Sequence, residues 1–321
     1  MSRKDIAAKE FVNDNHVFAD LFNHCLFHEE IIDPKNLKEK DTAGIVNDKN
    51  VVMQRQRDIL KVYADKTDGV CRYVLLGVEN QDQVHPAMPL RAMEYDMTAY
   101  MNQARQYARQ VRRKKGRSGK EILSAWPEGE KLIPVITLVM YWQPAMWEGP
   151  KSLHEMMDSK IVRRYGRYIE NYGIHVVSPK MLADEEISRM RSELGAVMSV
   201  MKYADDRKKM NELMQESRYS EMSIPAGYFI AGVTGVKMEE KEEGRMTVNL
   251  CKAWADMREV ARSEGKAEGK EEGIILGRDE GILLGSRETA EKIQVSMKAY
   301  GMTEEQIGEI LRNANICTDE H

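Results

Sequence analysis

Apolar side chains recur at spacings of three and four through the first thirty positions. Phe11, Phe18, Leu21, Phe22, Cys25 and Leu26 fall on one helical stripe, which predicts an amphipathic helix over 11–28. The pattern then changes period. VVMQRQRDILKVY at 51–63 sets β-branched and apolar residues around a charged centre and reads as a strand. Lys66 to Gly69 is a turn signal, and CRYVLLGV at 71–78 is an apolar run of strand length, as a central strand requires. The two runs suit a β-hairpin. Pro89 can open a helix, and Leu90 to Gln110 follows as a long helical segment. Residues 116–129 read as a loop. LIPVITLVMYW at 132–142 is the most strand-like run, with Pro134 placing it near an edge or delaying its start. A short helix is expected around Leu153 and a short strand over YGIHVV at 172–177. The order helix, hairpin, helix, strand defines a mixed α/β domain, α+β with a mixed sheet, over residues 1–180.

From Met181 the chain becomes rich in Met, Leu and charge, and 181–254 reads as a helical extension, with Lys237 to Glu243 a dense charge cluster and Thr247 to Arg262 helical. Region 255–321 carries a repeat. Gly265, Gly269, Gly273, Gly277, Gly281 and Gly285 keep an unbroken spacing of four, so six of the 22 glycines lie in one short segment. Glycine opposes helix by about 1 kcal/mol relative to alanine. A flexible linker, however, explains neither the strict period nor Ile274, Ile275, Leu276, Ile282, Leu283 and Leu284 between the glycines. Small residues at every fourth position let two helix backbones approach closely, and a period above 3.6 winds right-handed. Residues 255–300 are therefore expected to form a self-associating helix. Thr303 with Gln306 is a capping-box pattern opening a last short helix.

Composition adds three constraints. The chain has 321 residues, 48 Lys+Arg against 52 Asp+Glu and a net charge of −4, which gives no whole-chain signature of a nucleic-acid binder. No apolar run reaches the ~18 residues of a membrane span, and Met1 to Glu10 lacks the apolar core of a secretory signal, so no membrane partner is expected. Cys25, Cys71, Cys251 and Cys317 are far apart and form no Cys-x-x-Cys pair, which favours a reduced, cytoplasmic setting.

The average charge conceals a local excess. Arg105, Arg109, Arg112, Arg113, Lys114, Lys115, Arg117 and Lys120 place eight positive charges in a stretch free of acids, with Arg105, Arg109 and Arg113 spaced as one helical stripe. Such a stripe contacts phosphates without reading sequence; a solvated helix face is the plainer alternative. Two acids could carry chemistry. Glu79 ends the apolar strand and Gln81 follows two residues on, so both project to one side. If Asp58 lies opposite, two carboxylates meet at one end of the hairpin, a donor set suited to Mg²⁺; a solvated strand edge is again the plainer alternative. His24 and His28 share a helical face, but no third zinc ligand is evident.

Five blocks bear on that choice. DNHVFADLFNHCLF (14–27), RQRDILK (55–61), YVLLGVENQ (73–81), MPLRAMEYDMTAY (88–100) and LIPVITLVMYW (132–142) resemble, in this order, the recombination-promoting nuclease (Rpn) family, also described as YhgA-like transposases, within the PD-(D/E)XK nuclease superfamily. The resemblance covers about residues 11–180, and the glycine repeat is also typical of such proteins. It implies a DNA endonuclease dependent on Mg²⁺ or Mn²⁺, linked to recombination or mobile elements. It implies Asp58 and Glu79 as metal ligands, with Gln81 standing where the motif has a lysine. That departure leaves a second reading, a catalytically weak DNA-binding or assembly protein of the same fold. Lys61 could stand in, but lies three residues from Asp58 on a strand, hence on the opposite face. The resemblance further points to Asp20 as an additional acid and to Tyr95 or Gln103 as groups that orient a phosphate or water. For all three, capping or packing is the alternative. DNA and RNA are not separated by these residues.

Overall fold

Asp14 divides the first expected helix in two. Its carboxylate accepts hydrogen bonds from the amides of His16 and Val17, which ends α1 (Arg3–Asn13) and starts α2 (Asn15–Phe22), continued by a π-helical turn at Asn23–Phe27. The computed structural model describes residues 3–40, 43–48, 51–56, 58–66, 69–238 and 246–313. Within them the chain continues as β1 (Leu37–Glu39), β2 (Ala43–Asp48), β3 (Val51–Gln56), β4 (Ile59–Asp65), β5 (Arg72–Gln81), α3 (Met88–Arg113), α4 (Gly119–Ser124), β6 (Val135–Tyr141), α5 (Ser159–Tyr165) and β7 (His175–Val177). Then follow α6 (Asp184–Ser188), α7 (Leu194–Tyr203), α8 (Arg207–Leu213), β8 (Met222–Ser223), α9 (Ile224–Thr234), β9 (Thr247–Val248), α10 (Leu250–Ala299) and α11 (Glu304–Asn313).

The single strand expected over 51–63 is two strands. β3 pairs with β2 in a separate ribbon, whereas β4 pairs antiparallel with β5, Ile59 opposite Val78 and Asp65 opposite Arg72. The break between them releases Asp58 from either ladder. The main sheet runs β1-β4-β5-β6-β7, antiparallel on the β1 side and parallel from β5 to β7. It is the mixed sheet of an α+β fold. β5 runs to Gln81, past the expected end at Val78, and β6 starts after Pro134, which lacks the N–H a central ladder needs. The loop expected at 116–129 contains α4, opened by a capping box between Ser118 and Glu121.

Side chains along β6 alternate between two cores. Leu138, Met140 and Trp142 join Phe11, Phe18, Leu21, Phe22 and Phe229 in a core built from α1, α2, β4, β5 and helices α6 to α9. Val139 and Tyr141 face Met88 and Ala92 of α3 on the other side. There Asp96 accepts hydrogen bonds from Thr137 Oγ1 (2.5 Å) and Tyr172 Oη (2.6 Å), a satisfied polar tie beneath α3. Residues 181–254 thus contribute to the same core as the sheet, and Met1–Trp254 forms one compact unit. Lys61 is fully buried on the α1/α2 side, where its ammonium donates to Asn13 O and Asn15 Oδ1 (each 2.5 Å) and closes the end of α1. Burial pulls its pKa below the ordinary lysine value, opposed by Glu39 and Asp14. Gly227 of α9 is required by close packing, since a Cβ there would come within 2.0 Å of Val248.

Ala255–His321 is a second unit. The glycine repeat lies inside the helix α10, and an added Cβ at any glycine from Gly265 to Gly285 would meet nothing within 4 Å. Ile274, Ile275, Leu276, Ile282, Leu283 and Leu284 are exposed. The expected capping box opens α11: Thr303 N donates to Gln306 Oε1 and Gln306 N to Thr303 Oγ1. Residues 239–243 of the acidic-basic cluster lie outside the described residues. Thr247 and Val248, expected to be helical, pair instead with β8, so the helix begins at Leu250. Among the described residues no helix is long and apolar enough to cross a membrane. Cys25, Cys71 and Cys251 are free thiols.

Candidate active site

The β4–β5 register brings Asp58 opposite Glu79, one position beyond the Ile59–Val78 pair. Two hydrogen bonds hold them there. Asp58 N donates to Glu79 Oε1 at 3.4 Å, and Asn80 N donates to Asp58 Oδ2 at 2.9 Å. Glu79 is buried, at 1% exposure, and its Oε2 lies 3.8 Å from the Arg91 guanidinium of α3. Arg91 also donates to Tyr95 Oη at 3.3 Å, the two residues standing four apart on one face of α3.

Asp58 opens onto a cleft of about 260 Å³ lined by Lys4, Asp5 and Lys9 of α1, by Asn80, Gln81 and Arg91, and closed at its base by Trp142 and Phe229. Burial raises the pKa of Asp58 above the usual carboxylate value and Asp5 adds to this; the Asn80 amide, Lys9 and Arg91 oppose it. Trp142 Nε1 donates to Asn80 Oδ1 at 2.9 Å, fixing the Asn80 side chain, while Asn80 Nδ2 is buried without a partner among the described residues. Arg91 also borders a second, open cleft of about 500 Å³ with His85, Ala87, Leu90 and Tyr95. Burial, and then Arg91, hold the pKa of His85 below its ordinary value.

The donor set fits a hard divalent cation. It comprises the carboxylates of Asp58 and Glu79, and the burial that disfavours a bare charge on Asp58 is what a bound cation would offset. Among the described residues no three or more His, Cys, Asp or Glu side chains converge as a ready-made metal cage. Mg²⁺ is commonly held by one or two carboxylates, with water completing its shell.

Other candidates lie elsewhere or are otherwise engaged. Asp20 is buried but turned to α7, where Oδ2 accepts from the amides of Arg191 (2.8 Å) and Ser192 (2.6 Å); it ties α2 to the chain before α7 and does not line the cleft. Gln103 pairs with both backbone groups of Ile133, donating to O at 3.0 Å and accepting from N at 2.7 Å, which anchors the approach to β6. His24 lies 3.6 Å from carboxylate oxygens of Asp20 and Glu30, and His28 lies 3.7 Å from Glu186, so the two imidazoles serve different acids.

The cleft residues absent from the sequence-based set include Lys4, Asp5, Lys9, Asn80, Asp82 and Trp142. Asp5 and Lys9 are four residues apart and share a helix face, a signal that an earlier start for the first helix would have revealed.

Arg105, Arg109, Arg112, Arg113, Lys114, Lys115, Arg117 and Lys120 are all exposed. Arg91 and Arg109 are 18 residues apart on α3 (109 − 91), five helical turns, so they lie on one side of the helix about 27 Å apart. Arg105 donates to Asn102 Oδ1 at 3.3 Å, and Lys114 is ion-paired. Its partner is buried Glu121 at 2.8 Å, and this bond, with the Ser118 amide, lowers the Glu121 pKa to about 2.

A family profile described as "Putative transposase, YhgA-like" matches residues 3–222. The chain belongs to this family. Its description links the YhgA-like chain to mobile elements, in keeping with the resemblance of the five sequence blocks. The match reaches from α1, which walls the cleft, through α8 and ends before α9. No curated protein and no solved structure matches the chain.

Proposed function

We propose that this YhgA-like protein is a divalent-metal-dependent DNA endonuclease whose site is the cleft at the end of the β4–β5 hairpin. The observation that carries the reading is the meeting of Asp58, which lines a cleft that also presents cations, with Glu79 buried directly behind it and bonded to the Asp58 amide. Asp58 and Glu79 would hold Mg²⁺ or Mn²⁺, which when bound supplies Lewis acidity to a phosphoryl oxygen and lowers the pKa of a bound water. In the reaction a water oxygen bonds to phosphorus and the bond to a sugar oxygen breaks. The products are a phosphate monoester and a free hydroxyl; the water's proton goes to solvent and the leaving oxygen takes one up. Arg91, oriented by Glu79 and Tyr95, is placed to hold a phosphate beside Asp58.

The exposed arginines of α3 continue from Arg91 on the same helix side and suit a duplex backbone lying along the helix. Changing Arg105, Arg109, Arg112 and Arg113 together to alanine is expected to weaken DNA binding at low salt. It should also flatten the log-affinity against log-salt slope by about 3 to 4 units. An unchanged slope would remove the DNA from this face.

The test of the function is incubation of the purified full chain with supercoiled plasmid, and in parallel with RNA, in Mg²⁺, Mn²⁺ or EDTA. Metal-dependent nicking of DNA is expected. Binding without cleavage in either metal would favour the second reading, a DNA-binding or assembly protein, for which the uncharged Gln81 is the supporting observation. Cleavage of RNA alone would reassign the substrate. We also propose that the chain works as a homo-oligomer through α10, because its glycine stripe is open and flanked by exposed Ile and Leu. Light scattering of the full chain should give a multiple of the 36.9 kDa chain mass, and a monomer mass would overturn this.

A further inference from the structure

The motif position occupied by Gln81 carries no positive charge. Its side-chain amide is turned to its neighbour, Nε2 donating to Asn80 O at 3.0 Å. Phosphodiester hydrolysis builds negative charge on the phosphoryl oxygens, and a fixed cation placed at that charge is a large source of rate. Arg91 serves one side of that charge, and a second cation, at the water, has to come from elsewhere in the cleft. Lys61 cannot provide it, being buried and bonded to Asn13 and Asn15. Lys4 is ion-paired with Asp82 at 2.5 Å, and Arg91, oriented by Glu79 and Tyr95, is already committed to the phosphate.

Lys9 remains. It is half-buried and lines the cleft beside Ala8, and among the described residues it makes no hydrogen bond or ion pair. Its charge acts on Asp58, ahead of that of Arg91. The helix carrying it is fixed, because Ala7, Ala8, Phe11 and Val12 are buried in the main core. A lysine stem is long enough to move its ammonium within the cleft without moving the helix.

We propose that Lys9 of α1 supplies the catalytic ammonium that Gln81 lacks, contacting the scissile phosphate and the attacking water. The inference rests on the nuclease reading above. Lys9 does not itself gain or lose a covalent bond; it donates hydrogen bonds to the phosphoryl oxygen as the water oxygen adds to phosphorus and the sugar oxygen leaves.

The experiment is single-turnover plasmid nicking by the full-length wild type, Lys9→Met, Lys9→Arg and the double variant Lys9→Met with Gln81→Lys. Ca²⁺ binding to each is measured by calorimetry. Lys9→Met is expected to cleave about 10²-fold more slowly. Its Ca²⁺ affinity should be unchanged or higher, because a neighbouring positive charge has been removed. Lys9→Arg should stay within about tenfold of wild type and the double variant should regain at least about tenfold over Lys9→Met. Lys9→Met cleaving at the wild-type rate overturns the assignment while leaving the nuclease reading intact. Parallel loss of Ca²⁺ binding and rate in Lys9→Met also overturns it, since that is the signature of a distorted site. A wild type that binds DNA and cleaves none overturns both.

Discussion

Asp58→Ala should lower Mg²⁺-dependent DNA cleavage by about 10²–10³-fold, with DNA affinity kept or slightly strengthened. Asp58 stands outside both ladders, so its removal breaks no strand pairing, and the loss falls on the cleft. Glu79 calls for a different substitution. It is buried, it accepts from Asp58 N and it faces Arg91, so alanine would leave a half-buried guanidinium without its acid and confuse chemistry with stability. Glu79→Gln keeps an oxygen for the Asp58 amide and removes only the charge. A comparable loss of rate in a folded Glu79→Gln protein, measured in the same single-turnover assay, is the expected result. Wild-type rates in both variants would place the chemistry elsewhere.

The second large effect is on stability. Trp142→Ala is expected to destabilise the first unit by about 3–5 kcal/mol, read from denaturant midpoints. Trp142 is 2% exposed and packs edge-on against Phe229 with ring centroids 4.8 Å apart. Its indole N–H also fixes Asn80, whose backbone amide holds Asp58. The cavity would open at the base of the cleft, so Trp142→Phe, which keeps most of the packing and loses the N–H, should cost less stability while still slowing cleavage. If Trp142→Ala unfolds at the wild-type midpoint, the packing of this tryptophan between sheet and α9 is wrong.

The sheet was legible because its strands are made of uninterrupted apolar runs. CRYVLLGV and LIPVITLVMYW announce two neighbouring central strands, β5 and β6, with Pro134 marking where pairing could start. The break before β4 was not legible, because both halves of VVMQRQRDILKVY favour strand and only the partner choice, β2 for one and β5 for the other, separates them. That break sets the geometry of Asp58. The acids Asp58 and Glu79 could be placed opposite one another from hairpin reasoning. Asp20 and Gln103 could not be assigned, since their partners, the Arg191 and Ser192 amides and the Ile133 backbone, are distant in sequence. α1 was missed for a related reason. Arg3 to Glu10 is mostly charged or alanine, with little apolar stripe, yet tertiary packing on α9 buries Ala7 and Ala8 and brings Asp5 and Lys9 to the cleft. The glycine period predicted a helix against glycine's own propensity, and α10 is helical throughout it.

The most direct measurement is a Mn²⁺ titration, by calorimetry or electron paramagnetic resonance, of the wild-type and Asp58→Ala proteins. The expected result is saturable Mn²⁺ uptake by the wild type that Asp58→Ala loses while remaining folded. Equal Mn²⁺ uptake by the two proteins, or none by the wild type even with DNA present, would contradict a metal-dependent nuclease site built on Asp58 and Glu79.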